Sequence, residues 1–188
     1  MARAKVATGM ELEYETMGSP KDPALLLVMG FTAQMTVWPD SFCRGLADQG
    51  HYVIRFDNRD CGLSTKFDGV TVDAAAVMTA ALSDQPLPPV PYTLSDMGKD
   101  GFGLLDVLGV GSAHIAGASM GGMIVQQMAI DQPDRVRSMC SIMSTTGEPE
   151  YGQGAPEAMA ALLTPPPTDR AGVIAVSYTH LTLPTILL

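Results

Sequence analysis

Ser119 lies in Gly117-Ala118-Ser119-Met120-Gly121-Gly122, between an apolar, strand-like run at 113–116 and a helix-like run at 123–132. A Gly-x-Ser-x-Gly between strand and helix puts the serine on a turn so tight that its backbone is strained and its hydroxyl points off the sheet. A hydroxyl held this way is placed to attack a carbonyl carbon. Gly117 and Gly121 carry no Cβ, which lets strand and helix close around the turn. Met120 follows at the helix N-terminus, where a backbone N–H can stabilise a developing oxyanion. The site expected from these residues is Ser119 as nucleophile, supported by Gly117 and Gly121.

Other elements must position that turn. Residues 5–8 and Glu11–Met17 read as two short strands of a hairpin across Gly9-Met10. Residues 24–29 form an uninterrupted apolar run, the pattern of a strand covered by helices on both faces. Asp40–Asp48 reads as a helix ended by Gly50, and 51–56 as the next strand. Residues 74–82 are helix-like, and Pro86, Pro88, Pro89 and Pro91 then break regular structure. Thr93 followed by Asp96 resembles a capped helix start, with Leu94, Met97, Leu104, Leu105 and Leu108 at helical spacing. Pro133 stops the helix behind Ser119, and 136–143 reads as another strand. Strands alternating with helices predict an α/β fold with a doubly wound, mostly parallel sheet. In such sheets chemistry lies at the carboxyl ends of the strands. Met29-Gly30-Phe31, Asp57-Asn58-Arg59 and Ser119 all fall there.

Composition narrows the rest. The chain has 188 residues, 46% hydrophobic and 16% charged, which predicts one globular domain with a real core. A net charge of −9 argues against nucleic acid or an anionic membrane as partner. Cys43, Cys61 and Cys140 are few, odd in number and widely spaced, so neither a disulfide framework nor a metal site is expected. A reducing, cytoplasmic location fits this cysteine usage. No signal peptide or membrane span is read from the sequence.

The chain resembles the α/β-hydrolase superfamily, and within it the aclacinomycin methylesterase-like esterases. The resemblance covers about residues 4–150. It rests on LLLVMGFTAQMTVW from Leu25, VIRFDNRDCGLST from Val53, YTLSDMGKDGFGLLDVLG from Tyr92 and AHIAGASMGGMIVQQ from Ala113. It implies a serine hydrolase that needs no cofactor and acts on ester-like bonds of small, fairly apolar molecules. It also implies that the N–H groups of Phe31 and Met120 form the oxyanion hole. Gly30 lets the Phe31 loop bend close to the substrate oxygen. Relatives commonly have His-Gly where this chain has Met29-Gly30; the donor is backbone, so the change alters only side-chain contacts. Asp57 and Arg59 read as a structural strand-end pair, and Trp38 either lines a pocket or is buried under the loop.

A serine needs a base, and the base needs an acid. The superfamily supplies them after the serine, at strand ends. His51 begins a strand and His114 leads into the turn, so both read as structural. His180 follows too soon after Ser119 for the intervening strands and crossovers, each about a dozen residues or more. Residues 176–185, VSYTHLTLPT, resemble one reading frame of a transposon-end adapter used in sequencing libraries, and 171–188 contain no Lys, Arg, Asp or Glu. The expected organisation is therefore a hydrolase core over 1–147, the start of a cap over 148–175, and an artefactual tail over 176–188. This chain is expected to be inactive by itself. Three alternatives stay open: a triad-deficient ligand-binding or scaffold module, a cofactor-free perhydrolase, or a C–C bond hydrolase. A haloalkane dehalogenase is disfavoured because that resemblance requires Asp at the position of Ser119. Oligomeric state is not read from the sequence.

Overall fold

Every residue from Ala24 to Met29 is apolar, and the fold uses both sides of that run. Ala24, Leu26 and Val28 join one hydrophobic cluster, while Leu25, Leu27 and Met29 join another. A period of two with both faces buried is what a central parallel strand requires. The computed structural model describes residues 1–73 and 88–148 throughout, with residues 76, 77, 79, 80, 83, 85, 86, 151, 155, 157, 169–172, 174 and 175.

In chain order the elements are β1 (Ala2–Lys5), β2 (Glu11–Met17), β3 (Ala24–Val28), α1 (Asp40–Asp48), β4 (Tyr52–Phe56), α2 (Leu94–Val107), β5 (Ala113–Ala118), α3 (Met120–Asp131) and β6 (Val136–Ile142). The sheet order is β1-β2-β4-β3-β5-β6. β1–β2 and β2–β4 pair antiparallel; β4, β3, β5 and β6 run parallel. α2 and α3 bury Phe102, Leu104, Leu105, Ile124, Val125 and Met128 on one face, and α1 buries Cys43 on the other. The doubly wound, mostly parallel sheet expected from the sequence is the observed architecture.

Local signals place most boundaries. Thr93 and Asp96 form a reciprocal capping box at the start of α2: the Asp96 N–H donates to Thr93 Oγ1 at 3.3 Å, and the Thr93 N–H to Asp96 Oδ2 at 3.0 Å. Of the predicted helix over 74–82, the described residues 76, 77, 79 and 80 are helical. One strand is displaced from expectation. β1 occupies Ala2–Lys5 rather than 5–8, and residues 6–10 make the turn, with Val6 N–H donating to Met10 O at 2.9 Å. Only Ala4 of β1 is buried, so this edge strand shows no apolar alternation.

β6 pairs with β5, and its five central residues are exposed. Among the described residues no helix is long and apolar enough to cross a membrane. Met1–Glu148 forms one compact unit and Pro149–Leu188 another. Within the second, residues 170–172, 174 and 175 are helical. The predicted cap start at 156–163, apart from Glu157, and the whole segment from 176, His180 included, lie outside the described residues.

Candidate active site

β5 ends at Ala118, α3 begins at Met120, and Ser119 alone turns the chain between them. Its φ is 56° and ψ −123°, a conformation that L-residues rarely adopt. The side chain is exposed. Two hydrogen bonds hold the turn: Ser119 N–H donates to Ile142 O, and Ser119 O accepts from Gly122 N–H, both at 2.9 Å.

The glycines around it are required by space. A Cβ on Gly117 would lie 2.0 Å from Gly121 O, and one on Gly121 would lie 2.2 Å from Val28 O. Both contacts are with backbone, which cannot swing away. Gly122, which the sequence reading passed over, is equally confined: its Cβ would lie 2.5 Å from Ser144 Cβ. The only sequence signal for it was the doubled glycine after Met120.

Gly30 brings the loop after β3 against the serine. A Cβ there would lie 2.9 Å from Ser119 Cβ and 3.2 Å from Ser119 Oγ. Phe31 follows, exposed, and Thr32 takes a left-handed φ of 59°. Among the described residues the Phe31 N–H meets no acceptor. Met120 is the first residue of α3, where an N–H has no partner within its own helix. Ser119, Gly30, Phe31 and Met120 are thus brought together at one end of the sheet.

The loop after β4 fixes the loop after β3. Asp57 is buried and accepts the Met35 N–H at 2.8 Å and the Leu63 N–H at 2.9 Å. Asn58 Nδ2 donates to Met29 O at 2.8 Å, next to Gly30. Gly62 has no room for a Cβ, which would lie 1.8 Å from Asp57 Oδ2. The expectation that Asp57 pairs with Arg59 is corrected. Arg59 makes a two-pronged bond with buried Asp100 of α2, Nε to Oδ2 at 2.6 Å and Nη2 to Oδ1 at 2.8 Å. Asp57 is committed to backbone N–H groups instead. Thr8 Oγ1 adds a third donor to Asp100 at 2.5 Å. Burial works against the Arg59 charge, but the hydrogen bonds and charge of Asp100 outweigh it and hold the guanidinium above its ordinary value. Arg59 also stacks over the rings of Tyr92 and Phe67, at 5.2 and 5.8 Å. Burial, and then a hydrogen bond to Asp60, pushes Tyr92 up to about 12.

Of the other residues singled out by sequence, Trp38 packs in the cluster that holds Met29 and Ala118, and the two histidines lie at the opposite ends of their strands. Trp38 is buried and stacks on Phe42 at 5.6 Å. Arg55 reaches its carbonyl and pairs with Glu15 and Asp40. His51 precedes β4, and His114 pairs with Leu25 at the start of β3, so both lie toward the amino ends of the parallel strands. Their rings meet edge to face at 6.0 Å, and His114 Nδ1 lies 2.7 Å from Ser138 Oγ. Burial, then the Arg137 and His51 charges, keeps His114 below its ordinary value.

Strain concentrates at the carboxyl edge. Thr32 follows β3, Asp60 follows β4, Ser119 follows β5 and Met143 follows β6, with φ of 59°, 63°, 56° and 47°. These are the non-glycine residues with positive φ among the described residues. Such outliers gather at working sites because surrounding structure must enforce them.

Known proteins are similar to this chain in sequence and in fold. The chain is 35% identical over 125 residues to rhodomycin D methylesterase DauP of Streptomyces sp. (strain C5), which covers 66% of this chain and 36% of that protein. It is 29% identical over 130 residues to the putative carbamate hydrolase RutD of Variovorax paradoxus (strain S110), covering 69% and 41%. The chain therefore spans well under half the length of these relatives. A solved hydrolase from Pseudomonas aeruginosa PA01 superposes with a TM-score of 0.63 and 25% identity, over 93% of this chain and 56% of that one. Residues 23–175 match the model of the alpha/beta hydrolase fold. With a strained serine between strand and helix, a glycine loop against it and that match over most of its length, the chain belongs to the alpha/beta hydrolase fold family.

Proposed function

We propose that the whole protein is a serine hydrolase of ester-like bonds in small, fairly apolar molecules, with Ser119 as nucleophile. The observation that carries this is the exposed, left-handed Ser119 with Gly30 packed against its side chain. Ser119 Oγ attacks the carbonyl carbon, and the carbonyl electrons move onto oxygen. The Phe31 and Met120 N–H groups receive that oxyanion. Collapse of the tetrahedral adduct expels the alcohol and leaves an acyl-enzyme, which water then hydrolyses. The methylesterase among the relatives supports an ester as the bond broken.

The proton on Ser119 needs an acceptor. His51 and His114 are at the wrong end of the strands, His180 is read as part of an artefactual tail, and the acid and base are assigned to sequence that the relatives have and this chain does not match. On this reading the 188-residue chain alone has no esterase turnover. A chain extended to the relatives' length should hydrolyse short p-nitrophenyl esters, and Ser119→Ala should lower kcat by at least about a thousandfold. A Ser119→Ala variant as fast as its parent would refute the assignment.

A further inference from the structure

Met143 is costly to its own backbone and gives little to the core. Its φ is 47°, where a glycine would sit without strain and a methionine does not. Its side chain is 81% exposed, so interior packing does not explain it either. Its position is specific. Ser119 N–H donates to the carbonyl of Ile142, the residue bonded to Met143, so Met143 begins one peptide away from the nucleophile. On the opposite side Gly30 touches Ser119, and the next residue is Phe31, 75% exposed. The sheet order β3-β5-β6 therefore puts an exposed aromatic residue after the strand on one side of β5 and an exposed methionine after the strand on the other. Ser144, Thr145 and Thr146, which follow Met143, carry no charge.

We infer that Met143 is a specificity-determining residue: together with Phe31 it grips the apolar group of an ester-like substrate held over Ser119. The inference rests on Ser119 being the reacting centre, and it adds the wall opposite Phe31 and the apolar class of group that fits there. A flexible, polarisable thioether suits flat or branched apolar groups better than a rigid side chain does. The positive φ coincides with the end of β6 at Ile142, whose carbonyl accepts the Ser119 N–H.

The test uses the 188-residue chain with 13C-labelled methionine methyls and butyrophenone, a neutral ketone with an ester-like shape and no leaving group. The Met143 signal is identified by its loss in Met143→Leu. It should shift saturably as the ketone is added. Met143→Gly should bind the ketone about tenfold more weakly, the scale of a lost apolar contact in a pocket, without a lower melting temperature. A stationary Met143 signal, no saturable shift in any methyl, or unchanged affinity in both Met143→Gly and Met143→Leu would overturn the inference. Ser119→Ala should leave the ketone shift intact. Loss of esterase assignment with the shift retained would count against the nucleophile alone, and loss of the shift with that assignment intact would count against Met143 alone.

Discussion

The turn at Ser119 and the loop after β4 do the same job by opposite means. Around Ser119 the geometry is enforced by exclusion: Gly117, Gly121 and Gly122 sit where no Cβ fits, against backbone or a neighbouring side chain. Around Asp57 and Arg59, Gly62 apart, it is enforced by attraction. Buried charge is satisfied by N–H groups and by a partner 41 residues away. Exclusion tolerates no added atom, because a packed backbone has nowhere to go. Attraction tolerates replacement, provided that no charge is left buried without a partner.

The sharpest test of exclusion is Gly117→Ala. Its Cβ would meet Gly121 O at 2.0 Å, and denaturant unfolding should show a loss above about 4 kcal/mol, in the range reserved for a single severe defect. A loss under 1 kcal/mol would mean that the turn can open, and the contrast would fail. Attraction is tested next. Arg59→Met leaves the Asp100 charge buried with no counter-charge and only the Thr8 hydroxyl bonded to it, and should cost about 3–5 kcal/mol; Arg59→Met with Asp100→Leu should recover most of it. If the double variant were as unstable as the single, exclusion would govern both regions.

The capping box gives the smallest effect. Thr93→Ala should cost about 1 kcal/mol. Lys99, then the Thr93 N–H and hydroxyl, hold Asp96 at about 2, below its ordinary 3.8. A carboxylate lowered by folding contributes in full above the unfolded value. The contribution of Asp96 should therefore be complete above about pH 4 and fade as pH falls toward 2. Thermal melts of Thr93→Ala across that window should be flatter than those of the parent. Equal slopes would show that the cap does not carry the pH dependence.

The same division explains what could be read from sequence. Exclusion is written locally. Glycines at fixed offsets around Ser119, the apolar run from Ala24 and the Thr93–Asp96 spacing each carry their reason within a few residues. All three were legible, and Gly30 and Phe31 could be placed from the strand before them. Attraction is written across the fold. Nothing near Arg59 names Asp100, and Asp57 is nearer in sequence, so the local reading paired the wrong two residues. Asn58 was not singled out, although its bond to Met29 O holds the loop that carries Gly30. β1 was misplaced for a related reason: one buried residue in an edge strand leaves no pattern to detect. Positive φ at Thr32 and Met143 had no sequence signal, because neither residue is a glycine.

For anyone engineering a hardier version of this protein, three positions of positive φ are a trap. Replacing a left-handed L-residue by glycine or asparagine is a standard route to thermostability, and Thr32, Asp60 and Met143 would rank high in such a screen. All three follow the parallel strands at the edge where Ser119 stands. Gains in melting temperature and changes at the candidate site would then come from the same substitutions. A stabilisation campaign should begin at the amino ends of the strands, where His51, His114 and Ser138 lie, and leave the carboxyl edge as it is.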